Sequence, residues 1–413
     1  MKRGLIMQRD RRWATGLGAI LVLALVTGCG KVPTWNELSG QKPATPPTTT
    51  PVPTQTTPSQ TTVTPPAPPQ RKAAEVIAEF KKKNPFQITN EALGELAALN
   101  EGLEELTNIN ASGSGVTDLG LSHLTKLPAL TKLELTGTKV TNQGMQHLTR
   151  IPSLETLSLG GTAITDEGVA ILNAAPNLKN LDLRNCTLTP ATFAAIGKMP
   201  VLEEINLDVT QGLNDDNLDV MCEARTLRRL HLRDCGGITD NGLKALRKLE
   251  VVEEINVNRS RLTGEGFLGV TKEGGLKTLK YLGISVAPLT LKGAKAINSL
   301  KSLEHLDVQQ VAAMNDVGLV EIVGGLKELR HLNVADCVGV TGLKSFPALK
   351  AADDLEVLIA SKTSIDDKTL QLLKTHKKLK KIDITDTRCT LAGIQLLKKS
   401  LPDCQIQFNN QIY

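Results

Sequence analysis

Seven cysteines, six histidines and two tyrosines are the side chains with the widest chemical range in these 413 residues. Cysteines can bridge, hold metal or act as nucleophiles, yet no C-x-x-C and no Cys/His metal spacing occurs. Cys186, Cys235 and Cys337 stand where Thr138, Thr162 and Thr387 stand in otherwise similar stretches. Cys389 stands for a Val and Cys404 for the second Leu of a closing strand, while Cys222 falls in a helical stretch. A small side chain that interchanges with Thr or Val reads as a core position, not a reactive thiol. His305, His331 and Asp307 could in principle hold a metal, but two histidines on neighbouring strands are a thin ligand set, and no metal is expected. The glycine pairs Gly236-Gly237 and Gly324-Gly325 lack the Lys-Ser/Thr or G-x-G-x-x-G context that cradles phosphate. No G-x-S-x-G is present, and the acidic pairs belong to a repeated turn. The expectation is a protein that is not an enzyme and needs no cofactor.

The elements that position these residues come from one repeated unit. In Leu154 to Asn177, LETLSLGGTAITDEGVAILNAAPN, Leu154, Leu157 and Leu159 form L-x-x-L-x-L, and Thr165-Asp166-Glu167-Gly168 leads into Val169 and Leu172. A unit of this size cannot bury its apolar face alone, so copies must stack. Anchors recur at Leu103, Leu130, Leu154, Leu178, Leu202, Leu227, Val252, Leu279, Leu303, Leu329, Leu355 and Leu379, spaced 24 to 27 residues, and Leu401 to Ile406 closes the series. Each L-x-x-L-x-L supplies a short strand of a parallel sheet, and T-x-V-T-D-x-G enters a helix. Asp118, Asn142, Asp166 and Asp240 are expected as helix N-caps.

This pattern resembles the leucine-rich repeat family, specifically its cysteine-containing, ribonuclease-inhibitor-like type. It looks most like the repeats of bacterial envelope lipoproteins, and it is also similar to those of eukaryotic F-box adaptors, although no F-box pattern is evident. The resemblance spans about 88 to 406 and implies a curved α/β solenoid, with a parallel β-sheet on the concave side and helices on the convex side. It further implies a non-catalytic module that binds a protein or peptide.

Residues 1–28 combine a basic start with an apolar run from Trp13 to Val26, as in a secretory signal. Thr27-Gly28-Cys29 resembles a bacterial lipobox, with Val26 where Leu is usual, so Cys29 is the expected lipidation site and the membrane anchor. Gly30, in place of an Asp that retains some lipoproteins in the inner membrane, tilts the expectation to the outer membrane of a bacterial cell envelope. Residues 29–70 are rich in Pro and Thr and read as an extended tether, on the order of 90 Å over some thirty residues. Residues 71–102 are read as an N-terminal cap, with Ala74, Ile77 and Phe80 on one side of a short helix, and 103–413 as the repeat domain with its C-terminal cap.

Stacking places the residue before the second Leu of each unit in one concave column: Lys132, Thr156, Asn180, Glu204, Arg229, Glu254, Tyr281, His305, His331, Val357, Lys381. The residue after that Leu forms a second column containing His231, Asp307 and Asn333, and Arg233 lies in a third. Glu204, Arg229 and Glu254 alternate in sign, as do Arg184, Asp208 and Arg233, so such rows satisfy themselves. The net charge of +5 is concentrated in the leader, and no nucleic acid partner is expected. The candidate partner-binding patch is Tyr281, His305, Asp307, His331 and Asn333, with Arg229, His231 and Arg233 beside it. The expected partner is an unidentified protein or peptide bound by a monomer. A structural or adhesion element holding wall polymer is the alternative, favoured by the tether and by Lys374, Lys377, Lys378, Lys380, Lys381, Lys398 and Lys399 near the C-terminus.

Overall fold

A computed structural model describes residues 72–409 and 411–413. The leader, Cys29 and the tether lie outside the described residues. Helices at Ala73–Lys82 and Asn90–Ala97 precede the first strand. In the first of them Val76, Ile77 and Phe80 are buried, whereas Ala74 is exposed, so the apolar side is rotated from the expected one.

The strands run in chain order through a single sheet, each paired with its sequence neighbour. They are β1 (Asn108–Asn110), β2 (Lys132–Glu134), β3 (Thr156–Ser158), β4 (Asn180–Asp182), β5 (Glu204–Asn206), β6 (Arg229–His231) and β7 (Glu254–Asn256). There follow β8 (Tyr281–Gly283), β9 (His305–Asp307), β10 (His331–Asn333), β11 (Val357–Ile359), β12 (Lys381–Asp383), β13 (Gln405–Phe408) and β14 (Gln411–Ile412). All pairs are parallel except β13–β14, an antiparallel hairpin that covers the last edge.

Two of the expected frames shift. Ile109 pairs with Leu133, which puts Leu106, 2 % exposed, at the first anchor in place of the half-buried Leu103. At the other end Ile382 pairs with Ile406, so Ile406 and not Cys404 is the second Leu equivalent. Both errors fall in terminal units, where the spacing departs from the repeat.

Each of β1 to β12 is three residues long, with its middle side chain buried and its flanking ones facing the concave side. The three leucines of a unit, such as Leu130, Leu133 and Leu135, are all at 0 % exposure. Burying one Leu contributes about 1.5–3 kcal/mol, so these layers are the main source of stability. Convex segments complete the layer with one face each, for example Val169 and Leu172 in the helix Asp166–Leu172. Cys186, Cys235 and Cys337 sit in the same core, and the Cys235 and Cys337 thiols point to the carbonyls of Leu207 and Val308 at 3.2 and 3.3 Å. Burial pushes Cys235 up to about 12 and Cys337 up to about 11, which leaves both as inert thiols.

The Asp or Asn of T-D-x-G is not the helix N-cap. The preceding Thr117, Thr141 and Thr165 hold that place, and Asp118, Asn142 and Asp166 are the first helical residues. Their side chains reach instead to the next unit. Asp118 accepts the Thr141 N–H at 2.8 Å and its hydroxyl at 2.6 Å. Asn142 accepts the Thr165 N–H at 3.0 Å and donates to its hydroxyl at 2.7 Å. The same two contacts tie Thr239 to Asp215, Thr263 to Asp240 and Thr390 to Asp367. This chain of contacts explains the glycine of the motif by closeness. A Cβ at Gly168 would stand 2.5 Å from the Asn142 side-chain Oδ1, and one at Gly144 would clash with the Asp118 carboxylate. Gly168→Ala is therefore expected to cost about 1–3 kcal/mol, read as a lower denaturation midpoint. Gly269→Ala, where nothing lies within 4 Å, should cost less than 1 kcal/mol and serves as the control. Equal losses at the two sites would refute the packing argument.

Candidate functional site

The concave face inherits its geometry from the sheet register. Tyr281 lies opposite His305, and His305 opposite His331, so three rings follow one another across β8, β9 and β10. The His305 and His331 rings stack with centroids 4.0 Å apart and planes 10° apart. Tyr281 and His305 are 6.4 Å apart and tilted by 38°. A Cβ at Gly283 would stand 3.1 Å from the Tyr281 hydroxyl, so the glycine leaves the space that the phenol occupies. Beyond His331 the same column continues to Val357, and Asn333 is opposite Ile359. The rings therefore end on an apolar floor.

The polar members of the patch are engaged by the fold. Asp307 accepts the Ser285 hydroxyl at 2.6 Å and the Gln309 N–H at 3.1 Å. Asn333 accepts the Ala335 N–H at 3.0 Å and donates to Gln309 at 3.4 Å. His331 Nδ1 is buried with no hydrogen-bond partner among the described residues. A proton there would have no acceptor, so the neutral ring with its proton on Nε2 is the favoured form. Burial, above all, lowers the pKa of both His305 and His331, and for His305 the neighbouring His331 adds to this. Burial with the charges of Asp307 and Glu254 pushes the Tyr281 phenol up to about 12, so it stays a donor.

The three remaining candidates form a second cluster on and after β6, separated from the rings by β7. Arg229 Nε bonds Glu204 at 2.8 Å. His231 Nε2 lies 3.4 Å from the other Glu204 oxygen, and its Nδ1 lies 3.9 Å from Glu254. The hydrogen bond from His231, with that from Arg229, holds the Glu204 carboxyl at about 2, and the same bond raises His231. The expected Arg184–Asp208–Arg233 alternation does not form as a row of side-chain pairs. Arg184 turns to Asp182 of its own unit at 2.6 Å, and Asp208 accepts the Arg233 backbone N–H at 2.8 Å.

The sequence reading passed over two features. One column before the rings, Glu155, Lys179, Glu203, Arg228, Glu253, Lys280, Glu304, Arg330, Glu356 and Lys380 alternate without a break. Contacts along it include Lys179–Glu155 at 3.0 Å, Arg228–Glu253 at 2.9 Å and Arg330–Glu356 at 3.2 Å. Writing out the residue ahead of each column would have exposed it. The second is a shallow cavity of about 250 Å³ over β2 to β5, lined by Glu134, Thr156, Ser158, Asn180, Asp182 and Asn206 among others. No group of three or more His, Cys, Asp or Glu among the described residues is arranged to hold a metal. Cys29 lies outside the described residues.

A family profile for the leucine-rich repeat matches residues 150–170 and 223–246. Among solved structures, an internalin of Listeria monocytogenes aligns over 82 % of this chain and 95 % of its own, at 18 % identity and a TM-score of 0.51. A chain of the yeast Rad7–Elc1 complex aligns over 82 % and 88 %, at 19 % identity and a TM-score of 0.53. These likenesses establish the fold. A Caenorhabditis elegans protein named for RNA binding is 25 % identical over 177 residues, 40 % of this chain, and the chain spans 23 % of that relative's length.

The electrostatics order the three concave histidines. In a histidine titration by NMR, His231 is expected to protonate above pH 6.5, and His305 and His331 below it. Because the two stacked rings bind protons less readily when folded, their contribution to stability is complete above pH 6.5 and is lost as the pH falls through their folded values. His231 has the opposite sign, stabilising below pH 6.5 and less so as the pH rises. A common midpoint for all three would overturn this assignment.

Proposed function

As a leucine-rich repeat protein, the chain is built to present side chains from successive strands, and we propose that it is a non-catalytic recognition module for a protein or peptide. The preformed row Tyr281–His305–His331 is the observation that carries this reading. Its rings are aligned by the register and its two imidazoles are neutral near pH 7, so a partner meets an ordered, largely apolar platform at little entropic cost. Aromatic side chains held in this way are the kind that anchor interfaces. Asp307, Asn333, Arg229, His231 and Arg233 form the polar surround.

Nucleic acid is not the partner this face suits. Adjacent columns alternate in sign and pair internally, which leaves no run of cations for a phosphate backbone. The relative named for RNA binding shares too small a part of its length to change this.

The module belongs, in this reading, to a bacterial cell envelope, tied to the membrane by lipid on Cys29, on the outer membrane in preference to the inner, as a monomer on a tether. The leader and the Thr27-Gly28-Cys29 stretch support the anchor. Cys29→Ser is expected to move the protein from the membrane to the soluble fraction, and an unchanged distribution would refute lipid anchoring.

Crosslinking capture from intact cells followed by mass spectrometry tests the site. Wild type is compared with a Tyr281→Ala/His331→Ala variant whose melting confirms its fold. A protein recovered about ten-fold or more above the variant places recognition on the ring row. Equal recovery removes the row from the interface, and recovery of wall fragments alone would favour a structural role.

A further inference from the structure

Charge is unevenly distributed along the array. Residues 72–340 hold 28 Lys and Arg against 33 Asp and Glu, whereas residues 341–413 hold 12 against 8. On the convex side of this cationic end, buried residues fix how the segments line up. Phe346, Leu370 and Ile394 succeed one another, as do Leu349, Leu373 and Leu397, all at 0 % exposure. The same interval aligns the exposed residues into columns. Ala348 leads to Leu372 and Leu396, which are 37 % and 50 % exposed. Lys344 and Lys368 stand on one side of that apolar column, and Lys350 and Lys374 on the other, all four exposed. Two of the nearby carboxylates are turned into the fold: Asp366 caps its own helix through the Thr369 N–H at 2.9 Å, and Asp367 holds Thr390 at 2.7 and 2.6 Å, whereas Asp353, near His376, is exposed.

We propose that this convex face docks on an anionic lipid bilayer. Leucines flanked on both sides by lysines match the depth profile of a membrane surface. The apolar tips enter the acyl boundary, and the lysine stems lie along it with their ammonium groups among the headgroups. Exposed side chains on successive short segments suit fluid headgroups that rearrange around fixed charges. A phosphate backbone would satisfy the lysines but leave the leucines facing water. The contact is separate from the ring row and from any lipid on Cys29, and together with such a lipid it would supply the second signal that stable membrane attachment needs.

The test uses the full chain with Cys29→Ser and with Thr375→Cys, an exposed neighbour of Lys374, labelled with an environment-sensitive fluorophore. The label reports this face locally, so the apolar stretch near the N-terminus does not contribute. Vesicles of equal phosphatidylglycerol and phosphatidylcholine should shift the emission to the blue, and pure phosphatidylcholine should not. Lys368→Glu/Lys374→Glu and Leu372→Ser/Leu396→Ser, each verified as folded by circular dichroism, should weaken the response about ten-fold or more. No shift, an equal shift on neutral vesicles, or a shift that survives charge reversal would overturn the proposal. So would a response to polyphosphate or an acidic protein that exceeds the response to anionic vesicles.

Discussion

The contact on which the rest of the structure depends is the reach of one Asp or Asn side chain from the start of most convex segments to the Thr of the next. Leucine layers supply most of the free energy, but apolar packing is non-directional and would tolerate slippage between units. The carboxylate or amide of Asp118, Asn142, Asp215, Asp240 or Asp367 meets both an N–H and a hydroxyl, which sets spacing as well as attraction. The glycine of the next unit, three residues after that Thr as in Thr141 and Gly144, is left small to admit the side chain. With convex segments tied in this way, parallel strands on the other side stack at about 4.8 Å. Every concave column is a consequence of that interval.

A column of rings at this interval behaves differently from the same residues on a mobile loop. Stacking at 4.0 Å is possible because the sheet holds His305 and His331 side by side, and their burial keeps both neutral. A neutral, ordered platform bordered by self-paired charges favours a partner with apolar and hydrogen-bonding groups over a polyanion. The alternating row from Glu155 to Lys380 reinforces this by cancelling the charge one column away. Such exposed pairs contribute little stability each, about 0–1 kcal/mol, and matter more for what they exclude.

The proposed recognition surface and the proposed lipid-docking surface lie on the two sides of the array. The concave rings lie on β8 to β10, whereas the cationic leucine columns lie on the convex side of the last units. A solenoid can carry both because each unit contacts only its neighbours, so one end can change its surface without disturbing the other.

The repeating L-x-x-L-x-L and T-D-x-G were enough, from the sequence alone, to determine the fold, the order of strands and the membership of each concave column, because a fixed period makes the residue one unit away a spatial neighbour. The core role of Cys186, Cys235 and Cys337 was legible for the same reason. The frame failed at Leu103 and Cys404, where terminal units depart from the period. The tertiary structure alone decided which atoms meet between units. Asp118 and its counterparts looked like local caps, since an Asx beside a helix start satisfies the cap pattern, but their partners are supplied by the next turn of the solenoid. Arg184 could equally have paired across to Asp208, and its rotamer chose Asp182. Periodicity encodes which residues are neighbours, whereas the direction each side chain takes depends on packing that no single unit contains.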